Sequence, residues 1–170
     1  MKALNKHSYR YQVNELAFLS NSNLFLQATG NNGEVEVLKY PEMKRVGGLK
    51  GHTAAVLSLN VDPTQKYIAT GGADAVACLW DAKDFICLRS YYAMDFPPRA
   101  LAFSYDSKYL SMAGEDPCVF VEDVDSGKSM GTVTLRSSPE DCAWHPKRHV
   151  LAYPVEMGQG ESSIEFRTKG

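Results

Sequence analysis

The chain has 170 residues, of which 44% are apolar and 11% aromatic, with 18 Lys plus Arg against 20 Asp plus Glu and a formal net charge of -2. That balance suits a single folding domain and excludes pervasive disorder. With a pI near 6.1 it also argues against a nucleic-acid binder that works through a broad basic field.

In chain order, Met1 to Gln12 (MKALNKHSYRYQ) lacks the apolar core of a secretory signal. No later run approaches 18 consecutive apolar residues, so no helical membrane span and no membrane partner are expected. Cys78, Cys87, Cys118 and Cys142 are dispersed, with no Cys-x-x-Cys pair, and read as free thiols of a reducing compartment. Alternation at Leu16 and Phe18 predicts a first strand, and Asn31-Asn32-Gly33 a turn after a second. Glu34 to Leu38 reads as a third strand, and Lys44 to Leu49 as a more irregular fourth.

The same series then returns. Leu57, Leu59 and Val61 lead into the turn Asp62-Pro63-Thr64-Gln65. The turn Gly72-Ala73-Asp74 follows, then strands at Ala75 to Trp80 and Ile86 to Tyr91. A further pass runs through Leu101 and Phe103, Ser104 to Ser107, Gly114-Glu115-Asp116, Cys118 to Val121 and Met130 to Leu135. The last carries the turn His145 to Arg148, a hairpin tip at Met157 to Ser163, and a strand at Ser163 to Phe166.

These passes are copies of one unit. Lys66-Tyr67 falls on Lys108-Tyr109 and Asp74 on Asp116, both 42 apart. Ala28-Thr29-Gly30 precedes Ala69-Thr70-Gly71 by 41, and His145-Pro146 follows Asp62-Pro63 by 83. Four short strands in about 40 residues, with no sustained helical period, are the mark of propeller blades. The expected fold is therefore all-β, a β-propeller with four visible blades at about 8–40, 43–82, 85–124 and 128–167 within a single region 1–170. A partial, open propeller is preferred to a ring of four closed by Ser8 to Gln12 beside Ser163 to Phe166.

One unit carries a polar set. Gly51-His52 begins it, Thr70 sits on the second strand, Asp74 lies 22 residues after His52, and Trp80-Asp81 ends the third strand. The side chains His52, Thr70, Asp74 and Trp80 can form a hydrogen-bonded chain from the Trp80 indole through Thr70 to His52 and Asp74. A His next to an Asp is also half of a hydrolytic triad, but no nucleophile motif accompanies it, and a structural role is expected. The third unit has Met94, Met112 and Glu122 at the first, second and fourth of these places and keeps Asp116.

Elsewhere His145 and His149 lie four apart at a strand turn without a third ligand, so no metal and no cofactor are expected. Gly71-Gly72-Ala73-Asp74 lacks the lysine and helix of a phosphate loop. Lys147-Arg148 forms a small basic turn, Arg99 follows Pro97-Pro98, and Tyr91-Tyr92 begins an aromatic stretch between units. Tyr91, Tyr92, Arg99, Lys147 and Arg148 are the candidate partner contacts, and no residue is expected to be catalytic.

His52, Asp74 and Trp80-Asp81 resemble a WD40 repeat. From about Tyr11 to Phe166 the chain also resembles the carboxyl-terminal half of the THO complex subunit 3 family of WD40 proteins. The similarity is carried by Phe18 and the Asn-rich turn after it, Val35 to Pro41, Asp62-Pro63 with Lys66-Tyr67, and Ala69 to Asp74 with Leu79-Trp80-Asp81. Pro98-Arg99 before Leu101, Phe103 and Ser104 adds to it, and Ala143-Trp144-His145-Pro146-Lys147-Arg148 is its most distinctive run. The resemblance implies a non-catalytic scaffold of a nuclear transcription–export assembly. Its partners would be other THO complex subunits and, indirectly, an RNA helicase and messenger RNA export adaptors, with weak or indirect RNA contact. Relative to that family the first blades are missing, which places the absent part at the amino side. The competing expectation is a WD40 adaptor of another assembly, such as a ubiquitin ligase.

Overall fold

The computed structural model describes residues 4, 6–20, 22–158 and 161–168. The tip of the last hairpin, 159–160, lies outside them. Among the described residues fifteen strands, β1 to β15, form four antiparallel sheets. The first holds β1 (Val13–Leu19), β2 (Leu24–Thr29), β3 (Glu34–Lys39) and β4 (Lys44–Lys50) in that order. The second holds β5 (Val56–Val61), β6 (Tyr67–Gly72), β7 (Ala77–Asp81) and β8 (Cys87–Tyr91). The third holds β9 (Pro98–Phe103), β10 (Tyr109–Gly114), β11 (Cys118–Asp123) and β12 (Ser129–Thr134). The fourth has three strands, β13 (Ala143–Trp144), β14 (Val150–Gly158) and β15 (Glu161–Thr168).

Each sheet is an up-and-down meander, and among the described residues the four form an open propeller. The amino-terminal segment joins the first sheet, where Gly30 N–H donates to Gln12 C=O at 2.8 Å. The sheets are offset by one strand from the sequence units that begin at 43, 85 and 128. In each of those units the opening strand, β4, β8 or β12, hydrogen-bonds to the sheet before it. The period is right, but periodicity carries no phase. Which strand closes a sheet is decided by the ladder.

Three apolar cores fill the seams between successive sheets. Strand alternation distributes one strand between two seams. On β7, Cys78 and Trp80 enter the core between the first and second sheets, while Ala77 and Leu79 enter the core between the second and third. Central strands therefore read as almost continuous apolar runs, because both faces are buried. Outer strands are polar: β12 is exposed at Ser129, Met130, Gly131, Thr132 and Thr134.

Candidate functional site

The polar set of the second sheet is assembled from four places. His52 lies in the loop before β5, Thr70 is on β6, Asp74 is in the β6–β7 turn, and Trp80 is on β7. Trp80 Nε1–H donates to Thr70 Oγ1 at 2.8 Å. Thr70 Oγ1 lies 2.8 Å from His52 Nε2. His52 Nδ1 lies 3.1 Å from Asp74 Oδ1. An indole can only donate, so the Thr70 hydroxyl accepts from Trp80 and donates to His52 Nε2, and His52 Nδ1–H donates to Asp74. Burial opposes ionisation of Asp74. The N–H of Thr53, the His52 ring and the N–H of Val76 outweigh it and hold the carboxyl below its usual range.

This geometry commits both nitrogens of the His52 ring to partners inside the chain. Thr70 is fully buried and Trp80 is 2% exposed, so the acceptor nitrogen of His52 faces a closed hydroxyl rather than a cleft. Gly72 is required where the two polar residues meet. A Cβ there would run into both Asp74 Oδ1 and His52 Nδ1. In the third sheet Asp116 instead accepts from the N–H groups of Asp95 (3.3 Å) and Phe96 (3.1 Å). Met112 is fully buried there, and burial pushes the Glu122 carboxyl up, with Ser129 working against it.

A second polar device recurs at the turns and was invisible to strand alternation. Residues 65, 107 and 149, each 42 apart, reach back to the first turn of the preceding sheet. Ser20 N–H donates to Gln65 Oε1 at 2.7 Å. The Ser107 hydroxyl donates to Asp62, which is fully buried and also accepts from Thr64 and from Tyr67 N–H. His149 Nε2 lies 3.0 Å from Asp106 Oδ2. Burial resists ionisation of Asp106, yet His149, Ser104 and the N–H of Lys108 keep its carboxyl below the usual range. The findable signal was a polar residue at one repeat position inside successive turns.

The five surface candidates do not form one site. Tyr91 corrects the sequence reading: at 7% exposure it belongs to the core between the second and third sheets, because the β8 alternation turns it inward. Burial pushes its phenol up, with Arg89 beside it acting the other way. Tyr92 is 77% exposed. Arg99 is half exposed and tied to Glu115, with Nη2 to Oε1 at 2.9 Å. Lys147 and Arg148 are exposed in the β13–β14 turn, where Lys147 N–H donates to His145 Nδ1 at 3.1 Å.

The start of the Ala143 to Arg148 run is a structural anchor. Trp144 Nε1–H donates to Ala102 C=O (3.1 Å) and Ser111 Oγ (3.0 Å) of the third sheet. Its ring stacks on Tyr109 with centroids 5.9 Å apart. Below it Cys142 is buried, and burial pushes its thiol up to about 12, Ser111 opposing. Burial likewise raises the Cys78 thiol to about 11, Ser90 opposing. Both therefore stay protonated at neutral pH and are poor nucleophiles or ligands. Among the described residues no three His, Cys, Asp or Glu side chains are grouped to hold a metal.

Residues 43–81 match the family model "WD domain, G-beta repeat". The chain is 35% identical over 152 residues to THO complex subunit 3 of Arabidopsis thaliana, covering 89% of this chain and 48% of that protein. This chain is a WD40-repeat protein, homologous to THO complex subunit 3. It is also 28% identical to the WD repeat-containing protein AAC3 of Dictyostelium discoideum, over 94% of this chain and 34% of that one. Among solved structures, the RRP9 WD40 repeats align with a TM-score of 0.79 at 14% identity, over 93% of this chain and 52% of that chain. That last likeness concerns the fold alone. The chain spans about half, or less, of the length of these relatives. As a WD40 propeller chain it has the architecture of scaffold and adaptor proteins of multiprotein assemblies.

Proposed function

We propose that the chain is a non-catalytic scaffold subunit of a THO-type transcription–export assembly, acting in the nucleus in packaging and export of messenger RNA. The observation that carries this is 35% identity to THO complex subunit 3 over 152 residues, 89% of the chain. The polar chain through His52 and Asp74 supports a non-catalytic role, because its members spend their hydrogen-bonding capacity on one another and on the neighbouring Thr53 and Val76. Other THO complex subunits are the direct partners. An RNA helicase and export adaptors are reached through them, and RNA contact is weak or indirect, in keeping with a net charge of -2.

Purified chain immobilised on beads should retain purified THO subunits at near-equal stoichiometry and bind polyuridylate only weakly at 150 mM salt. Retention of none of them by a chain with intact β-sheet circular dichroism would refute the proposal. Service as an adaptor in another assembly, such as a ubiquitin ligase, is the second reading, because WD40 repeats by themselves specify no particular assembly. It predicts capture of ligase subunits and not of THO subunits.

A further inference from the structure

Loops at one end of the second and third sheets are held in the same frame. In the second sheet Asp74, in the β6–β7 turn, accepts from the N–H of Thr53 at 2.8 Å and so holds the β4–β5 loop. One repeat later, 42 residues on, Asp116 in the β10–β11 turn accepts from the N–H groups of Asp95 and Phe96 and holds the β8–β9 loop, residues 92–97. A Cβ at Gly114 would run into the Pro97 carbonyl, so this loop and turn are pressed together. The β12–β13 loop, residues 135–142, joins them. Leu135 N–H donates to Pro117 C=O at 2.8 Å, and Glu140 N–H to Gly114 C=O at 3.4 Å.

Within this shared frame the surface positions differ. Lys50, Thr53, Ala54, Ala73 and Ala75 of the second unit correspond, 42 residues later, to Tyr92, Asp95, Phe96, Glu115 and Pro117. All five of the latter are exposed, Tyr92 by 77% and Phe96 by 48%. Met94, between the two rings in sequence, turns into the core between the second and third sheets. The second unit keeps its frame with alanine at three of these places. Packing therefore does not require two aromatic rings and two carboxylates at the surface of the third.

The charge of the three loops is one-sided. They carry Asp95, Glu115, Asp116, Glu140 and Asp141 against one cation, Arg136. Arg99, on β9 beside them, is spent on Glu115 at 2.9 Å. Asp116 is buried and engaged, and Asp141 accepts from Cys142 N–H at 2.8 Å. Asp95 and Glu140 are exposed, and among the described residues their carboxylates have no hydrogen-bond or ion-pair partner.

We propose that these loops dock an extended, arginine-rich segment of a protein partner, its guanidinium groups stacking on Tyr92 and Phe96 and pairing with Asp95 and Glu140. Aromatic faces attract cations, and a planar, weakly hydrated guanidinium stacks on them better than an ammonium does. The surplus of carboxylates selects a basic occupant and repels a phosphate backbone. Two of the surface candidates named from the sequence, Tyr92 and Arg99, border this surface. The inference goes beyond the scaffold role and is independent of which assembly the chain serves.

The test uses the full chain and a fluorescein-labelled peptide, Gly-Arg-Gly-Arg-Gly-Arg-Gly, read by fluorescence anisotropy. Binding should saturate, and a peptide with lysine at each arginine should bind about tenfold more weakly. Tyr92→Ala combined with Phe96→Ala should weaken binding of the arginine peptide about tenfold or more, with circular dichroism unchanged. Asp95→Asn combined with Glu140→Gln should weaken it about as much, and added salt should weaken the wild type. Absence of saturable binding would overturn the proposal, as would equal affinity for the arginine and lysine peptides. So would equal affinity of the wild type and the aromatic variant, or a dimer in sedimentation that the aromatic variant dissociates. Should the aromatic variant fail to fold, an unchanged affinity in the carboxylate variant would overturn it alone. Capture of THO subunits tests the scaffold role separately.

Discussion

At the scale of single residues, Thr70 is the hinge of the polar chain. Its hydroxyl satisfies the Trp80 indole and the His52 ring at once. Thr70→Val keeps the shape and strands both, so it should cost about 1–3 kcal/mol in urea unfolding. A hydrolytic pair would instead lose turnover with stability unchanged. Asp74 adds a pH signature. Its folded pKa lies below the ordinary 3.8, so its contribution is complete above that value and lost as pH falls through the folded one. The stability gap between the wild type and Asp74→Asn should therefore hold at pH 7 and close below about pH 4. Glu122 has the opposite sign. Its folded pKa is raised by burial, so a penalty appears as pH rises past the ordinary Glu value of 4.5. Glu122→Gln should stabilise the chain at pH 7 and do little at pH 4. His52, Thr70, Asp74 and Trp80 were legible because their spacing is fixed by strand length. Tyr91 was misread because an aromatic between blades looks alike from sequence whether it faces a seam or solvent.

At the scale of elements, the turn clasps tie each sheet to the next. Ser107 donates to a carboxylate that is fully buried, and hydrogen bonds to charged groups contribute about 1.5–3 kcal/mol. Ser107→Ala should lower stability by that amount, measured by urea unfolding. Amide exchange should quicken first at Asp62 to Tyr67 and Lys108, beside the broken clasp. Alternation and turn composition located most strands, because half-buried strands announce themselves with period two. They could not reveal partners 45 residues apart, as Asp62 and Ser107 are. The one-strand offset of the sheets has the same origin. A repeat fixes a period, while long-range pairing fixes which strand ends a blade.

At the scale of the whole molecule, the first and last sheets of the open propeller expose apolar side chains among the described residues. Leu16 and Phe18 on β1 are 54% and 56% exposed, and Ile164 and Phe166 on β15 are 66% and 70% exposed. Apolar side chains presented on terminal sheets promote self-association. Phe166→Lys should shift the sedimentation of concentrated chain toward the monomer without changing its circular dichroism. The sequence period showed why 170 residues make four blades, yet it could not show that the fourth sheet lacks an outer strand among the described residues. The central claim, a scaffold within a THO-type assembly, is tested most directly by affinity capture of the tagged chain from cross-linked nuclear extract with quantitative mass spectrometry. THO subunits should be the most enriched proteins and should survive nuclease treatment. Enrichment of ubiquitin-ligase subunits in their place, or of no THO subunit at all, would contradict it.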